Sequence, residues 1–228
     1  MPKTTTLPQA NTVTLTARAL LLDMDGTLVD SDAVVERLWR EWAVEHGIDP
    51  DAALRVVHGR QGYATMAELL PERPMELNHA DNAVMLARET ADVDGVVRIP
   101  GADAFLAAIA SVPHALVTSA DEKLAQARMG AAGLPVPVLR ITAESVAASK
   151  PDPEGFLKGA AGLGFDPADC VAFEDSGAGL AAARAAGMRT VGIGPRAAAF
   201  APDLHVADLT ELTVTITPEG LIELGTTG

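Results

Sequence analysis

The sequence predicts an α/β fold in which a doubly wound parallel sheet carries a small helical domain inserted after its first strand. Two observations lead to this prediction. Short apolar runs alternate with stretches of helical periodicity along most of the chain. One stretch, residues 51–93, keeps helical spacing without any strand-like alternation. Strands separated by helices of this length pair in parallel through right-handed crossovers, which places helices on both faces of the sheet.

The first predicted unit is a strand, a turn and a helix. The apolar run at residues 19–24 is broken by Asp25 and Gly26, which is typical of a buried strand that ends in a turn. Apolar residues then recur at helical spacing over residues 31–46. Because residues 51–93 continue with helical spacing, we expect an all-helical insertion between this unit and the remaining strands.

Helices and strands alternate again from residue 102 to residue 193. In chain order the predicted elements are helix 102–110, strand 115–118, helix 121–132, strand 138–141, helix 153–162, strand 170–174, helix 179–187 and strand 190–193. These elements predict a core of residues 17–30 and 98–228 and a helical cap domain of residues 31–97. The Thr-rich residues 1–16 are expected to be a flexible leader.

The composition argues against several classes of partner. The 228 residues are 48% hydrophobic, enough for a large core, and 31 acidic against 17 basic side chains leave a net charge of −14. Such a surface repels phosphate backbones and anionic lipid, so neither nucleic acid nor a membrane is expected as a partner.

The sequence also bears on the cellular location. Residues 1–16 lack the apolar core of a signal peptide. Because the one cysteine, Cys170, cannot form an internal disulfide, we expect a cytoplasmic protein.

Polar side chains collect where the predicted strands end. In chain order they are Asp23 and Asp25, Thr118 and Ser119, Lys150, and Glu174 and Asp175. Ligands of doubly wound sheets bind beyond the carboxyl ends of the strands, so we expect these side chains to meet there. Four carboxylates at one edge would repel one another unless a hard cation lay among them, and oxygen ligands favour Mg²⁺. The sequence therefore predicts a magnesium site at this edge.

The same residue types fit the chemistry of phosphoryl transfer. A divalent ion, a lysine and two hydroxyl donors can hold and neutralise the oxygens of a phosphoryl group. One carboxylate facing the phosphorus can attack it to form an aspartyl phosphate, and a second can protonate the leaving oxygen. Asp23 and Asp25, two residues apart at a glycine turn, can supply both roles.

Four segments resemble, in order and spacing, the four motifs of the haloacid dehalogenase-like phosphohydrolases. They are LLDMDGTLVDS (residues 21–31), LVTSA (116–120), SKPDPEGF (149–156) and FEDSGAG (173–179). The resemblance implies Asp23 as the nucleophile and Asp25 as the general acid, and then as the base for the hydrolytic water. It also implies that the helical insertion is a cap that closes over the substrate and excludes water.

The resemblance further implies a set of ligands. It assigns Thr118 and Lys150 to the phosphate, with Ser119 nearby. It assigns Mg²⁺ to Asp23, the Asp25 carbonyl and Asp175, with Glu174 bound to the ion or to its other ligands.

Two differences from other branches of the family and one further resemblance narrow the expected activity. The dehalogenase branch lacks the carboxylate that Asp25 provides, so phosphoryl transfer is favoured. The phosphosugar mutases carry a histidine where this chain has Val35, so hydrolysis is favoured over mutase activity, which stays as an alternative. Residues 56–66, VVHGRQGYATM, resemble small polyol and sugar phosphatases such as the glycerol-phosphate and deoxyglucose-phosphate enzymes. His58 and Arg60 are therefore candidates for contacting substrate hydroxyls, and a small phosphorylated metabolite is the expected partner.

Other interpretations of single motifs stay open. Ser119 with Glu122 forms a possible helix capping box, and Lys150 taken alone is typical of a solvated surface lysine. The spacing of Gly177 and Gly179 matches a dinucleotide-binding motif, although strand 190–193 is not followed by the acidic residue that such sites use. A signalling receiver module also combines an aspartyl phosphate, a hydroxyl and a lysine, but receivers are about half this length and have no helical insertion.

Overall fold

The structure, a computed structural model, describes residues 14–227 of the chain. The strands in chain order are β1 (Leu15–Ala17), β2 (Ala19–Leu22), β3 (Val29–Asp30), β4 (Val97–Arg98), β5 (His114–Val117), β6 (Leu139–Ile141), β7 (Cys170–Glu174), β8 (Arg189–Ile193), β9 (Leu204–Val206), β10 (Leu212–Ile216) and β11 (Ile222–Thr226). The α-helices are α1 (Asp32–Glu45), α2 (Pro50–Leu54), α3 (Gly62–Leu69), α4 (Met75–Ala91), α5 (Ala102–Ala108), α6 (Glu122–Ala131), α7 (Glu154–Leu163), α8 (Gly177–Ala185) and α9 (Gly194–Ala198).

Six of these strands form one parallel sheet in the order β6-β5-β2-β7-β8-β9. The chain runs outward from β2 through β5 to β6, and then crosses back to build β7, β8 and β9 on the other side. Strand β2 therefore lies at the point where the order reverses, which is where such sheets bind ligands. The predicted fold class is confirmed, and the predicted elements from residue 102 to 193 are present within two residues of their expected bounds.

Helices cover both faces of the sheet. Every residue of β2 is apolar, and successive side chains point to opposite faces, so β2 contributes apolar side chains to both. Leu20 and Leu22 belong to the core that α5 and α6 complete, whereas Ala19 and Leu21 belong to the core that α7 and α8 complete. All four side chains are fully buried. Strand β2 is thus held rigidly from both sides, which fixes the position of the residues that follow it.

Helices α1 to α4 form an insertion between β3 and β4. These two short strands pair antiparallel, with Val29 opposite Arg98, and so join the two ends of the insertion. The insertion has an apolar cluster of its own, in which the rings of Trp39 and Trp42 meet edge to face with centroids 5.5 Å apart. The four helices therefore pack as a unit beside the sheet.

A second sheet is antiparallel, with the strand order β1-β11-β10. It joins the first of the described strands to the last two. It corrects the end of the leader expected over residues 1–16, because residues 15 and 16 belong to β1, which pairs with β11 and places Leu15 opposite Leu224. Both leucines are buried, and a partner 209 residues along the chain leaves no local sequence pattern. Residues 1–13 of the expected leader lie outside the described residues. Among residues 14–227, none of the helices has the length and apolarity needed to span a bilayer.

Candidate active site

The carboxyl edge of the parallel sheet brings together side chains from three adjacent strands. Asp23 directly follows β2, Thr118 directly follows β5, and Glu174 and Asp175 lie at the end of β7. Lys150 reaches the same place from the loop before α7. All five are buried. We call Asp23, Lys150, Glu174 and Asp175 the strand-end cluster.

Lys150 is the cation at the centre of this cluster. Its Nζ donates hydrogen bonds to Asp23 Oδ1 at 2.6 Å, to Glu174 Oε1 at 2.5 Å and to the Val117 carbonyl at 3.1 Å. Burial alone would lower the pKa of Lys150, but the carboxylates of Asp23 and Glu174 raise it, so the ammonium stays charged. The alternative of a solvated surface lysine is therefore wrong, because the side chain turns inward to pair with these acids.

Three carboxylates of the cluster lie close enough to share one cation. Asp23, Glu174 and Asp175 each offer an oxygen within 4.8 Å of the others. Burial and the neighbouring Glu174 raise the pKa of Asp23 well above its usual range, and the same causes raise the pKa of Asp175 to about 7. Buried, all-oxygen donors with an unfavourable local excess of negative charge fit a hard divalent cation.

Arg196 is a second cation of this region, and the strand-end residues chosen from the sequence did not include it. It lies in α9, immediately after β8, and its Nε donates to Asp175 Oδ2 at 2.9 Å while Nη1 donates to Asp32 Oδ2 at 2.6 Å. The rule that pointed to the other residues also applies here, because Arg196 follows the end of strand 190–193 by three positions. The same rule, applied to the residues just past Gly194, identifies Arg196.

The carboxylate of Asp25 has different partners from those of Asp23. Its Oδ1 accepts a hydrogen bond from Ser31 Oγ at 2.7 Å, and its Oδ2 accepts one from Arg128 Nη1 at 2.9 Å. Arg128 Nη2 donates in turn to Glu89 Oε2 at 3.1 Å. We call Asp25, Arg128 and Glu89 the bridging cluster, because Glu89 lies on α4 of the insertion and the other two residues lie in the core.

Arg128 and Glu89 are functional candidates that the sequence analysis missed. Arg128 is buried on the same face of α6 as Leu124, Ala125 and Met129, and Glu89 is buried on α4. A charged residue on the apolar stripe of a helix is the signal that would have identified Arg128, because such residues stay buried only when they are paired.

Ser119 contacts the insertion. Its hydroxyl donates to the carbonyl oxygen of Gly59 at 3.1 Å. The capping-box interpretation of Ser119 is wrong, because Asp121 is the N-cap of α6 and its side chain accepts from the Leu124 backbone N–H at 2.8 Å. Ser119 is thereby left to face the loop that carries His58.

The two candidate substrate residues of the insertion differ in their surroundings. His58 Nδ1 lies 3.9 Å from Asp32 Oδ1, and burial together with the nearby Arg196 lowers the pKa of His58, which keeps its ring neutral near pH 7. Arg60 forms an ion pair with Glu68 inside the insertion. His58 is therefore freer than Arg60 to bond a neutral hydroxyl.

A cleft between the core and the insertion connects these groups. Its empty space is about 710 Å³, including the open mouth. The predicted site residues on its wall are Asp23, Asp25, Thr118, Ser119, His58 and Arg60. Lys150, Glu174 and Asp175 are not on the wall; Lys150 contacts the cleft residue Asp23, and Asp175 contacts the cleft residue Arg196.

The glycines at the start of α8 have a packing role. A Cβ atom at Gly179 would overlap the carboxylate of Glu174, and one at Gly177 would overlap the ring of Phe200. The Ser176 hydroxyl caps the helix by accepting from the Gly179 backbone N–H at 3.0 Å. This close approach accounts for the two glycines without a dinucleotide.

Residues 17–187 match the family of haloacid dehalogenase-like hydrolases, and the chain belongs to that family. A site of buried carboxylates and a lysine at the carboxyl edge of a doubly wound sheet, facing a helical insertion, agrees with this membership.

Similar proteins narrow the class further. Hexitol phosphatase A of Escherichia coli (strain K12) is 37% identical over 214 residues, which cover 89% of this chain and 96% of the relative. Glycerol-1-phosphate phosphohydrolase 2 of Saccharomyces cerevisiae (strain ATCC 204508 / S288c) is 32% identical over 193 residues, 79% of this chain and 76% of the relative. The crystal structure of β-phosphoglucomutase from Clostridium difficile shares the fold, with a TM-score of 0.75 at 22% identity, covering 86% of this chain and 93% of that one. The predicted phosphatase branch is confirmed, and the chain is a phosphoric monoester hydrolase.

Proposed function

We propose that this protein is a Mg²⁺-dependent phosphatase that hydrolyses small sugar or polyol phosphates through an aspartyl phosphate on Asp23. The observation that carries the proposal is the separation of two carboxylates that are two residues apart. Asp23 belongs to the strand-end cluster and pairs with Lys150. Asp25 turns its carboxylate to Ser31 and Arg128 at the wall of the cleft. Two acids with separate partners can hold two separate roles.

The strand-end cluster and the Asp25 backbone would supply the ligands for the metal. Asp23, Asp175 and the carbonyl oxygen of Asp25 would hold Mg²⁺, with Glu174 beside them. Glu174 is itself oriented, because its Oε2 accepts a hydrogen bond from Ser176 Oγ at 2.9 Å. When bound, Mg²⁺ would neutralise the phosphoryl oxygens and the carboxylates around them.

In the first step a carboxylate oxygen of Asp23 attacks the phosphorus, and the bond from phosphorus to the substrate oxygen breaks. Asp25 donates its proton to that oxygen, so the sugar or polyol leaves as a neutral alcohol. The charged ammonium of Lys150 fixes the orientation of Asp23. The hydroxyl groups of Thr118 and Ser119 lie on the cleft wall, where they can donate to phosphoryl oxygens.

In the second step Asp25, now a carboxylate, takes a proton from a water molecule as the water oxygen attacks the phosphorus. The bond between phosphorus and the Asp23 oxygen breaks, which releases inorganic phosphate and restores both side chains. The insertion assists the first step rather than this one. It forms one side of the cleft, and the exclusion of bulk water there would strengthen the electrostatic interactions at the phosphorus.

The substrate class rests on the cleft and on the relatives. Hexitol and glycerol 1-phosphate are the molecules named for the two curated phosphatases. The neutral ring of His58 and the guanidinium of Arg60 can bond hydroxyl groups, and we propose that they do so. Val35 on the cleft wall has no proton to exchange, which favours hydrolysis over the mutase alternative.

We further propose the boundaries of the two domains and a cytoplasmic location. The β3–β4 pair supports a core of residues 17–30 and 98–228 and a cap of residues 31–97. The cytoplasm is supported by the cysteine content of the sequence, because the single residue Cys170 cannot form an internal disulfide.

Phosphate release from a substrate panel tests the proposal. The full chain is incubated with hexitol phosphates, glycerol 1-phosphate, 2-deoxyglucose 6-phosphate and nucleoside monophosphates, in Mg²⁺ and in excess chelator, with Asp23→Asn as the background. The proposal predicts Mg²⁺-dependent release with a preference for the sugar and polyol phosphates. A preference for nucleotides would overturn the substrate class, and full activity in chelator would overturn the metal. Isomerised sugar phosphate without phosphate release would indicate a mutase.

A further inference from the structure

Arg128 is a buried arginine that joins the core to the insertion. Only 4% of its side chain is exposed, yet it lies on the wall of the cleft. Among the residues that the structure describes, its Nε atom has no hydrogen-bond partner although it is buried. Burying a guanidinium that is not fully bonded costs free energy, so stability alone is a poor reason for placing it here.

The two ends of the Arg128 guanidinium hold two different carboxylates. Nη1 bonds Asp25 in the core, and Nη2 bonds Glu89 on α4, which packs against α6. With Ser31 on the other oxygen of Asp25, both oxygens of that carboxylate have a fixed donor. Asp25 nevertheless keeps 30% of its side chain exposed, so it can still reach a substrate.

Glu89 ties this arrangement to the insertion. It is buried, and burial raises its pKa above the usual range despite the pairing with Arg128. A planar guanidinium donates to two partners only in a defined orientation, so the position of α4 sets the direction in which Arg128 presents its other end.

We propose that Arg128 and Glu89 are positioning residues for Asp25, and that seating α4 of the insertion against the core orients the carboxyl that protonates the leaving oxygen. The inference rests on the proposed acid role of Asp25. Neither residue touches the reacting atoms; both act through Asp25. The class of substrate that needs them is the phosphate ester of a poorly acidic alcohol, whose oxygen must be protonated as it leaves.

Leaving-group dependence tests this inference in the full chain. The kcat/KM of Arg128→Met is measured with glycerol 1-phosphate, whose alcohol needs a proton, and with 4-nitrophenyl phosphate, whose phenolate does not. We expect a loss of about 10- to 100-fold for the first substrate and of less than about 3-fold for the second. Glu89→Gln should show the same pattern with a smaller loss. Circular dichroism and thermal melting check that each variant folds, and Arg128→Lys, which keeps the charge without the two-ended fork, provides a second test.

A double-mutant cycle separates positioning from a merely structural role. If Arg128 acts through Asp25, then Arg128→Met adds no further loss to Asp25→Asn with glycerol 1-phosphate. The matched control is Arg140→Met, which breaks a half-buried ion pair between β6 and Glu122 of α6 and should leave the activity on both substrates unchanged.

Two results would overturn the inference. Equal losses on both substrates for Arg128→Met, or losses that add to those of Asp25→Asn, would show that Arg128 supports the fold rather than the acid. A leaving-group effect in Asp25→Asn without one in Arg128→Met would refute the inference alone and leave the proposed function standing. Equal losses on both substrates in Asp25→Asn itself would refute the acid role and the inference together.

Discussion

The strand-end cluster and the bridging cluster begin two residues apart in the chain but are built in different ways. The strand-end cluster takes all of its members from the core. Two of its carboxylates, Asp23 and Glu174, pair with Lys150, and Asp175 lies beside them. The bridging cluster takes one carboxylate from the core and one from the insertion, with one arginine between them. The first is therefore built within the core, from strand ends and the loop before α7, whereas the second is complete only when the insertion is in place.

This difference matches the two roles that we propose. A nucleophile and its metal ligands must stay fixed, and β2 holds Asp23 between two packed faces of the sheet. An acid is needed only when substrate is enclosed, and Asp25 takes its orientation from a residue that also bonds the insertion. The predictions that follow affect one cluster at a time.

Asp23→Asn should have the largest effect, because amide nitrogen and oxygen are poor nucleophiles. Turnover of any phosphate ester should fall by at least about 10⁴-fold. The fold should persist, since Asn is nearly isosteric and removes a charge that burial already disfavours. Steady-state phosphate release measures the effect. Asp121→Asn, a helix N-cap that asparagine also satisfies, is the control and should keep full activity. Retention of a tenth of the normal rate by Asp23→Asn would remove it as nucleophile.

Asp25→Asn should have the next largest effect, and only for esters of poor leaving groups. Loss of a general acid should cost about 10²- to 10⁴-fold with a polyol phosphate and far less with 4-nitrophenyl phosphate, as long as formation of the phosphoenzyme limits the rate. Single-turnover release of the alcohol measures that step. The nearby Asp30→Asn is the control, because within residues 14–227 the Asp30 side chain accepts one hydrogen bond, from the Asp32 backbone N–H at the start of α1. Equal losses for both leaving groups would assign Asp25 another role.

Lys150→Met tests the strand-end cluster through stability. Removing the ammonium leaves Asp23 and Glu174 buried without their cation, so the free energy of unfolding in chelator should fall by about 3–5 kcal/mol. Urea denaturation followed by circular dichroism measures it. Lys158→Met, which removes an exposed pair with Glu154, should cost less than about 1 kcal/mol. Similar losses in the two variants would mean that the buried pairs carry no special weight.

Mg²⁺ should stabilise the protein through the same cluster. At 100 times its Kd, a bound ion adds about 2.7 kcal/mol to the free energy of unfolding, which a thermal melt detects as a rise in Tm. Asp175→Asn should remove this rise, because it deletes a proposed ligand. Asp32→Asn, which alters the other partner of Arg196, should retain it. A rise of equal size in Asp175→Asn would place the ion elsewhere.

The extent to which the site could be predicted follows the same division between clusters. Asp23, Thr118 and Asp175 lie at strand ends that local periodicity identifies, so the strand-end rule located them. Arg128 and Glu89 depend on how α4 packs against α6, which no local pattern records. The expected leader overlaps β1 for the same reason, because the partner strand β11 lies near the other end of the chain.

Trapping of the phosphoenzyme tests the central claim most directly. Asp25→Asn is mixed with 4-nitrophenyl phosphate and Mg²⁺, so that the intermediate forms but lacks the base for its hydrolysis. The reaction is quenched in acid and reduced with borohydride, which converts an aspartyl phosphate to homoserine, and the position is read by peptide mass spectrometry. The mechanism predicts homoserine at position 23. Turnover with no reduced residue, or with the mark at position 175, would contradict it.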